Sequence, residues 1–191
     1  MDEPLHPFRW LPSRPRKIAF LLALIGTLVV LCALGMLGRG LETDGAPSGI
    51  VSLEFAGDLA TTARIVDSWG ESGRLIAGLH LGLDYLFLVL YTSFIALGCA
   101  LAVAHFSPKH GLFVRLGVWL AWGQLLAGLL DVVENSALFS LLLGIHHPQL
   151  PRVAWWCAAG KFALVAFGLV FLLLASALAI IARVRQPKGN A

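Results

Sequence analysis

The sequence predicts an all-α membrane protein: a four-transmembrane-helix up-down bundle with a short amphipathic outer-face helix between the first and second spans. Three observations predict it. The 191 residues are 58% hydrophobic and only 13% charged, against about 45–50% and 25% in soluble domains. Four apolar runs each approach or exceed the ~20 residues needed to cross hydrocarbon. No stretch alternates apolar and polar residues over about ten positions, as the strands of a membrane barrel must. A soluble chain would have to hide all four runs in one small core, which surface-to-volume scaling forbids.

The elements follow in order. Residues 1–17, rich in Pro and Arg, form a cytoplasmic arm with Trp10 placed for the interface. The first span is 18–38, uncharged from Ile18 to Leu37. It is longer than the roughly 7–15 residues of a signal-peptide core and lacks an Ala-x-Ala exit, so it is expected to remain as a helix. A Gly/Pro-containing loop follows. In 50–70, Leu59, Ala63, Val66 and Trp69 recur at helical spacing opposite Asp58, Thr61, Arg64 and Asp67. That segment reads as one outer amphipathic helix, with Asp58 as an N-cap and Gly70 as a stop. The remaining spans are about 75–106, 112–145 and 153–182, and 183–191 is a cytoplasmic tail. Residues 18–182 thus make a single domain. The short connections 107–111 and 146–152 suit antiparallel neighbours.

Charge orients the bundle. Arg9, Arg14, Arg16, Lys17, Lys109, Arg115, Arg183, Arg185 and Lys188 fall on one side; the other mixes four arginines with Glu42, Asp44, Glu54, Asp58, Asp67 and Glu71. The positive-inside rule places both termini in the cytoplasm, in a multi-pass protein of the cell (inner) membrane. The basic balance then needs no nucleic acid. Cys32, Cys99 and Cys157 lie in apolar runs without Cys-x-x-Cys spacing and are expected to be buried thiols.

Four ionisable residues interrupt the spans: Asp84, Asp131, Glu134 and Lys161. Each costs roughly 2.5–3.5 kcal/mol at a bilayer centre, so each needs a partner or a cavity. From the cytoplasmic boundary, Asp84 and Lys161 lie about 33 Å up, and Asp131 and Glu134 about 24 and 28 Å up. All four therefore fall within about 10 Å of one plane near the outer boundary. Helical spacing adds His80 and Tyr91 beside Asp84, Gln124 and Asn135 beside Asp131 and Glu134, and Cys157 and Gly168 beside Lys161. Glu54, flanked by apolar residues, is a candidate to reach the cluster from above. Three acids against one lysine demand a proton, a charged His80, Arg74 folded over the site, or a bound cation.

The chemistry this permits is limited. Asp131 and Glu134 are the candidate acid/base pair. Asp84, Lys161, His80, Asn135, Tyr91 and Glu54 are the candidate ligand-binding residues, with Lys161 orienting an anionic head group. No metal is expected: Glu-x-x-His pairs are missing, and Lys161 competes for the carboxylates. No nucleophile elbow, phosphate loop or redox pair is visible. The cofactor is unknown, and whether the chain is an enzyme is open.

The combination Ser52-Leu53-Glu54-Phe55-Ala56-Gly57, Leu83-Asp84-Tyr85, Asp131-Val132-Val133-Glu134-Asn135 and Lys161-Phe162 resembles a family of small four-helix bacterial membrane proteins without an assigned activity. The likeness covers about residues 15–185 and implies a fold alone. The general plan also resembles four-helix membrane families that bind quinones, sterols or lipid-like substrates, whose signature residues are not matched.

The leading expectation is a protein that binds or processes a small amphiphile or lipid-like molecule, with membrane lipid as its surroundings and oligomeric state open. The alternative is a structural or assembly subunit whose charges only lock helix packing. A transporter is disfavoured, because only Thr92, Ser93 and Gln124 are polar in the inner half and no broken helices or repeats occur.

Overall fold

The long apolar runs become helices α1 (Ser13–Gly38), α3 (Leu59–His105), α4 (Gly111–Leu142) and α5 (Leu150–Arg185), with a five-residue helix α2 (Ile50–Glu54) between the first two. This computed structural model describes residues 5–106 and 111–185. Among them there is no strand, only an isolated bridge between Thr43 and Ala46. The expected 107–111 connection, with Lys109, and the end of the tail, with Lys188, lie largely outside the described residues. The fold is an all-α four-helix bundle. All four long helices are long and apolar enough to cross a membrane.

α3 is the axis of the assembly. It packs against α1, α4 and α5, while α4 also packs against α5. Small residues set the spacing. A methyl on Gly117 would lie 2.6 Å from Val103 and 2.7 Å from Phe171, and one on Gly168 would lie 2.6 Å from both Gln124 and Ile95. Glycine is what lets α3, α4 and α5 approach this closely.

α1 starts at Ser13, earlier than its apolar run, with Pro15 tolerated in the first turn. The Arg16 guanidinium donates to the carbonyls of Phe8 and Leu11, folding the preceding residues back. Cys99 and Cys157 are buried as expected. Cys32 is not: it is exposed on the outer face of α1, which touches the bundle along one narrow stripe.

The expected single helix over 50–70 is two pieces. α2 ends at Glu54, and the chain turns through Phe55–Gly57, where Gly57 adopts φ 74°. Asp58 then caps α3, its carboxylate accepting from the Thr61 amide at 2.8 Å and from the Thr61 hydroxyl at 2.9 Å. Those bonds, the amide first, hold the Asp58 carboxyl below the usual carboxylate range. Gly70, expected as a stop, is instead a kink within α3 at φ 60°, ψ −166°. Only glycine adopts that geometry without strain.

Two apolar cores result. One, at the α2 end, joins Leu41, Leu53, Ile65, Trp69, Leu81 and Leu138, and the Trp69 indole donates to the Leu41 carbonyl at 2.7 Å. The other, in the opposite half, contains Leu88, Tyr91, Ile95, Ala121 and Phe171. Outward faces such as Leu125, Leu126, Leu129, Leu173 and Leu174 are apolar and exposed. Polar groups go inside and hydrocarbon outside, the inverse of a soluble domain.

Candidate functional site

Between the two cores, α3, α4 and α5 each contribute polar residues at one level. On α3, Asp84 lies between Leu81 of one core and Leu88 of the other; on α4, Asp131 and Glu134 lie between Leu138 and Ala121; on α5, Lys161 lies between Ala154 and Phe171. The common depth read from the sequence thus corresponds to a polar layer bounded by apolar packing on both sides.

Lys161 is the hub. Its ammonium donates to Asp131 Oδ1 at 2.8 Å and to Glu134 Oε1 at 3.0 Å, with Glu134 Oε2 at 2.9 Å. Lys161 is 6% exposed, Asp131 1% and Glu134 0%. The Tyr91 hydroxyl donates to the other oxygen of Asp131 at 2.8 Å. Asn135 bridges, its amide donating to Asp84 Oδ2 at 2.7 Å and weakly to Asp131 Oδ1 at 3.4 Å. Every donor of this set comes from a different turn or helix than its acceptor. The network ties α3, α4 and α5 at one height.

α2 covers the layer. Glu54 is buried among apolar residues and sits within electrostatic reach of Lys161, Asp84 and Asp131. Burial pushes its carboxyl up to about 7, Lys161 opposing that rise and Asp84 and Asp131 adding to it. Next to Glu54, Phe55 stacks on Phe162 and meets Trp155 edge-on, both at 6.0 Å between centroids. Phe162 in turn lies 5.1 Å from the Lys161 ammonium. The cover is therefore pinned to α5 beside the hub.

His80 is buried on α3 near Lys161, and a methyl on Gly38 would lie 3.8 Å from its Nε2. Three buried polar atoms of the layer have no hydrogen-bond partner among the described residues: Glu54 Oε2, His80 Nδ1 and Glu134 Oε2, the last lying 2.9 Å from the Lys161 ammonium. All eight residues singled out from the sequence thus occur together. Asp131 and Glu134, the expected acid and base, both pair directly with Lys161, whereas Glu54 and Asp84 feel the same ammonium only at longer range.

Two expectations change. Arg74 does not fold over the site: its guanidinium donates to Asp67 at 2.7 Å and to the Val66 carbonyl at 3.3 Å, facing solvent. Lys161 is not free for an anionic head group, because two carboxylates hold it. The charge count also grows. Glu54, Asp84, Asp131 and Glu134 face a single ammonium. No group of three His, Cys, Asp or Glu side chains able to hold a metal is found among the described residues.

One contributor was underweighted in the sequence. Gln124, fully buried, donates to the Leu164 carbonyl at 2.8 Å, with its own Oε1 unpartnered. Its isolated amide in an apolar run was the available signal. Tyr85 and Ser136 add a 3.0 Å hydroxyl pair on the exposed side of the α3–α4 contact.

No known protein family, curated protein or solved structure matches the chain. The site is read from its own chemistry.

Proposed function

We propose that the chain is a multi-pass protein of the bacterial inner membrane, with both termini cytoplasmic, that binds a small amphiphile at the polar layer near the outer boundary. It would then be one of the small four-helix membrane proteins its motifs resemble. One observation carries the reading: a charge-rich layer buried between apolar cores is closed by a short helix whose own carboxylate keeps an unused, buried oxygen. An unsatisfied buried acceptor costs about 1–3 kcal/mol, and a ligand donor removes that cost. Asp131, Glu134, Tyr91 and Asn135 position Lys161 and Asp84; Glu54 and His80 complete the wall.

The ion pairs of Lys161 favour a second reading, a subunit in which the layer only fixes helix register. That reading accounts for Lys161, Asp131 and Glu134 but gives no role to Glu54 Oε2 or His80 Nδ1.

The test is thermal stability of the purified protein across a panel of lipids and quinones, on wild type, Lys161→Met and Glu134→Gln. Binding at the layer predicts a compound that raises the wild-type midpoint and fails to raise that of the variants. A panel without effect on wild type contradicts the binding reading.

A further inference from the structure

α1 and α5 both pack on α3, and an apolar groove of about 580 Å³ runs between them toward the end of the bundle that carries Lys17 and Arg183. Phe20 and Leu24 form its α1 wall, Phe94 and Leu101 its floor, and Leu172 and Ser176 its α5 wall. The volume falls within the roughly 300–1,000 Å³ of small-molecule sites. Both walls are seated on the floor. Phe20 and Phe94 meet at 5.4 Å between centroids, and a methyl on Gly98 would lie 2.9 Å from Leu172 and 3.1 Å from Phe20.

The mouth of the groove is basic. His105 lines it and is exposed. On α5, Arg183 lies one turn past Ala179 and two past Ser176, which both line the groove, so helical spacing carries it along the same face. On α1, Lys17 precedes Phe20 by one turn, and its stem can run along apolar surface to bring the ammonium to the mouth. No Asp or Glu occurs in α1, in α3 past Asp84 or in α5. The three helices therefore bring basic groups to this end and no acid.

We propose that the groove holds an acyl chain of an anionic phospholipid of the surrounding bilayer, its phosphate at the mouth against Lys17, His105 and Arg183. The site is separate from the polar layer and does not rest on the amphiphile reading of that layer. The lining is apolar apart from Ser176 and His105, which suits a hydrocarbon chain. Basic pockets between membrane helices recruit anionic head groups. Arg183 offers a fork of N–H donors that matches phosphate oxygens, and Lys17 offers a point charge. A zwitterionic lipid would fill the groove equally well but supply no net charge to the mouth. A helix from a second copy would bring no anion there, because the long helices have no acid on that side of the layer.

The test is native mass spectrometry of the full-length protein, delipidated in mild detergent and titrated with dioleoylphosphatidylglycerol or dioleoylphosphatidylcholine. Wild type is compared with Lys17→Gln, Arg183→Gln, Ser176→Phe, which fills the groove, and Arg185→Gln, a control of equal charge on the opposite face of α5. One phosphatidylglycerol should bind at least about 10-fold more tightly than phosphatidylcholine, each basic side chain contributing about 5-fold. Lys17→Gln and Arg183→Gln should each remove about that factor for phosphatidylglycerol and leave phosphatidylcholine unchanged, which reports an intact groove. Ser176→Phe should weaken both lipids, and Arg185→Gln neither. Equal affinity of wild type for the two lipids would overturn the anionic head group. A loss in Arg185→Gln as large as in Arg183→Gln would overturn the mouth in favour of diffuse surface charge. Phosphatidylglycerol binding untouched by Ser176→Phe would overturn the groove as its place. A dimer that Ser176→Phe abolishes would assign the groove to a second copy and overturn the lipid occupant. All four substituted positions are exposed, so the variants change the groove and its mouth without disturbing the buried packing.

Discussion

Lys161→Met isolates the energetic role of the hub. The substitution keeps most of the stem and removes the ammonium, leaving Asp131 and Glu134 in a layer where they are 1% and 0% exposed. Removing one partner of a buried ion pair costs about 3–5 kcal/mol, because the remaining charge has neither water nor counter-charge. At about 2–4 °C per kcal/mol for a chain of this size, the thermal midpoint should fall by roughly 6–20 °C. The loss should be charge-specific. A triple variant, Lys161→Met with Asp131→Asn and Glu134→Gln, removes the uncompensated charges and leaves the Tyr91 hydroxyl an acceptor. It should recover most of the lost stability, as neutral replacements of buried ion pairs commonly do. Unfolding in detergent, followed by tryptophan fluorescence, reads both steps. A Lys161→Met midpoint within about 2 °C of wild type would refute the assignment of Lys161 as the charge balance. A triple variant no more stable than Lys161→Met would refute charge, rather than packing, as the cause.

Three further outcomes follow from the same geometry. Tyr91→Phe removes the donor to Asp131 Oδ2 and should cost about 1–3 kcal/mol, read as a lowered midpoint in the same assay. Glu54 has its carboxyl raised from 4.5 to about 7 by burial. The folded state therefore holds its proton longer than the unfolded state does, so its contribution is complete below pH 4.5 and is lost as pH rises to about 7. The difference between wild type and Glu54→Gln should change by up to about 3 kcal/mol across that window and flatten above it; a pH-independent difference would contradict the burial of Glu54. Gly117→Ala and Gly168→Ala place a methyl within 2.7 Å of neighbouring side chains and should each cost about 1–3 kcal/mol. Gly78→Ala and Gly82→Ala meet open space and should be neutral or stabilising by up to about 1 kcal/mol.

How much of this was legible in the sequence depends on the range over which each feature is decided. The four long helices were legible because hydrocarbon-spanning length is a local property of composition. The coplanarity of Asp84, Asp131, Glu134 and Lys161 was legible because helical rise converts residue number into depth. Partner choice was not. Spacing places Lys161 opposite two acids but does not show that it takes both, which depends on how α4 and α5 rotate against each other. Of the four ways offered to balance the charge, Arg74 drops out because Asp67, across the Gly70 kink, takes the guanidinium and that contact is nonlocal. The break in the 50–70 segment rests on the turn at Phe55–Gly57. Phe55 leaves the helix to stack on Phe162, a tertiary contact that helical periodicity does not encode. Glu54 was legible as an oddity, an acid between Leu53 and Phe55. Its role as the cover of the layer needed the fold.

The most direct test of the account is a native mass spectrum of the protein purified from membranes in mild detergent, recorded for wild type and Glu54→Gln. A ligand-binding layer predicts a retained small amphiphile on wild type and its loss from Glu54→Gln. Identical spectra for the two proteins, with only bulk phospholipid adducts on each, would contradict it.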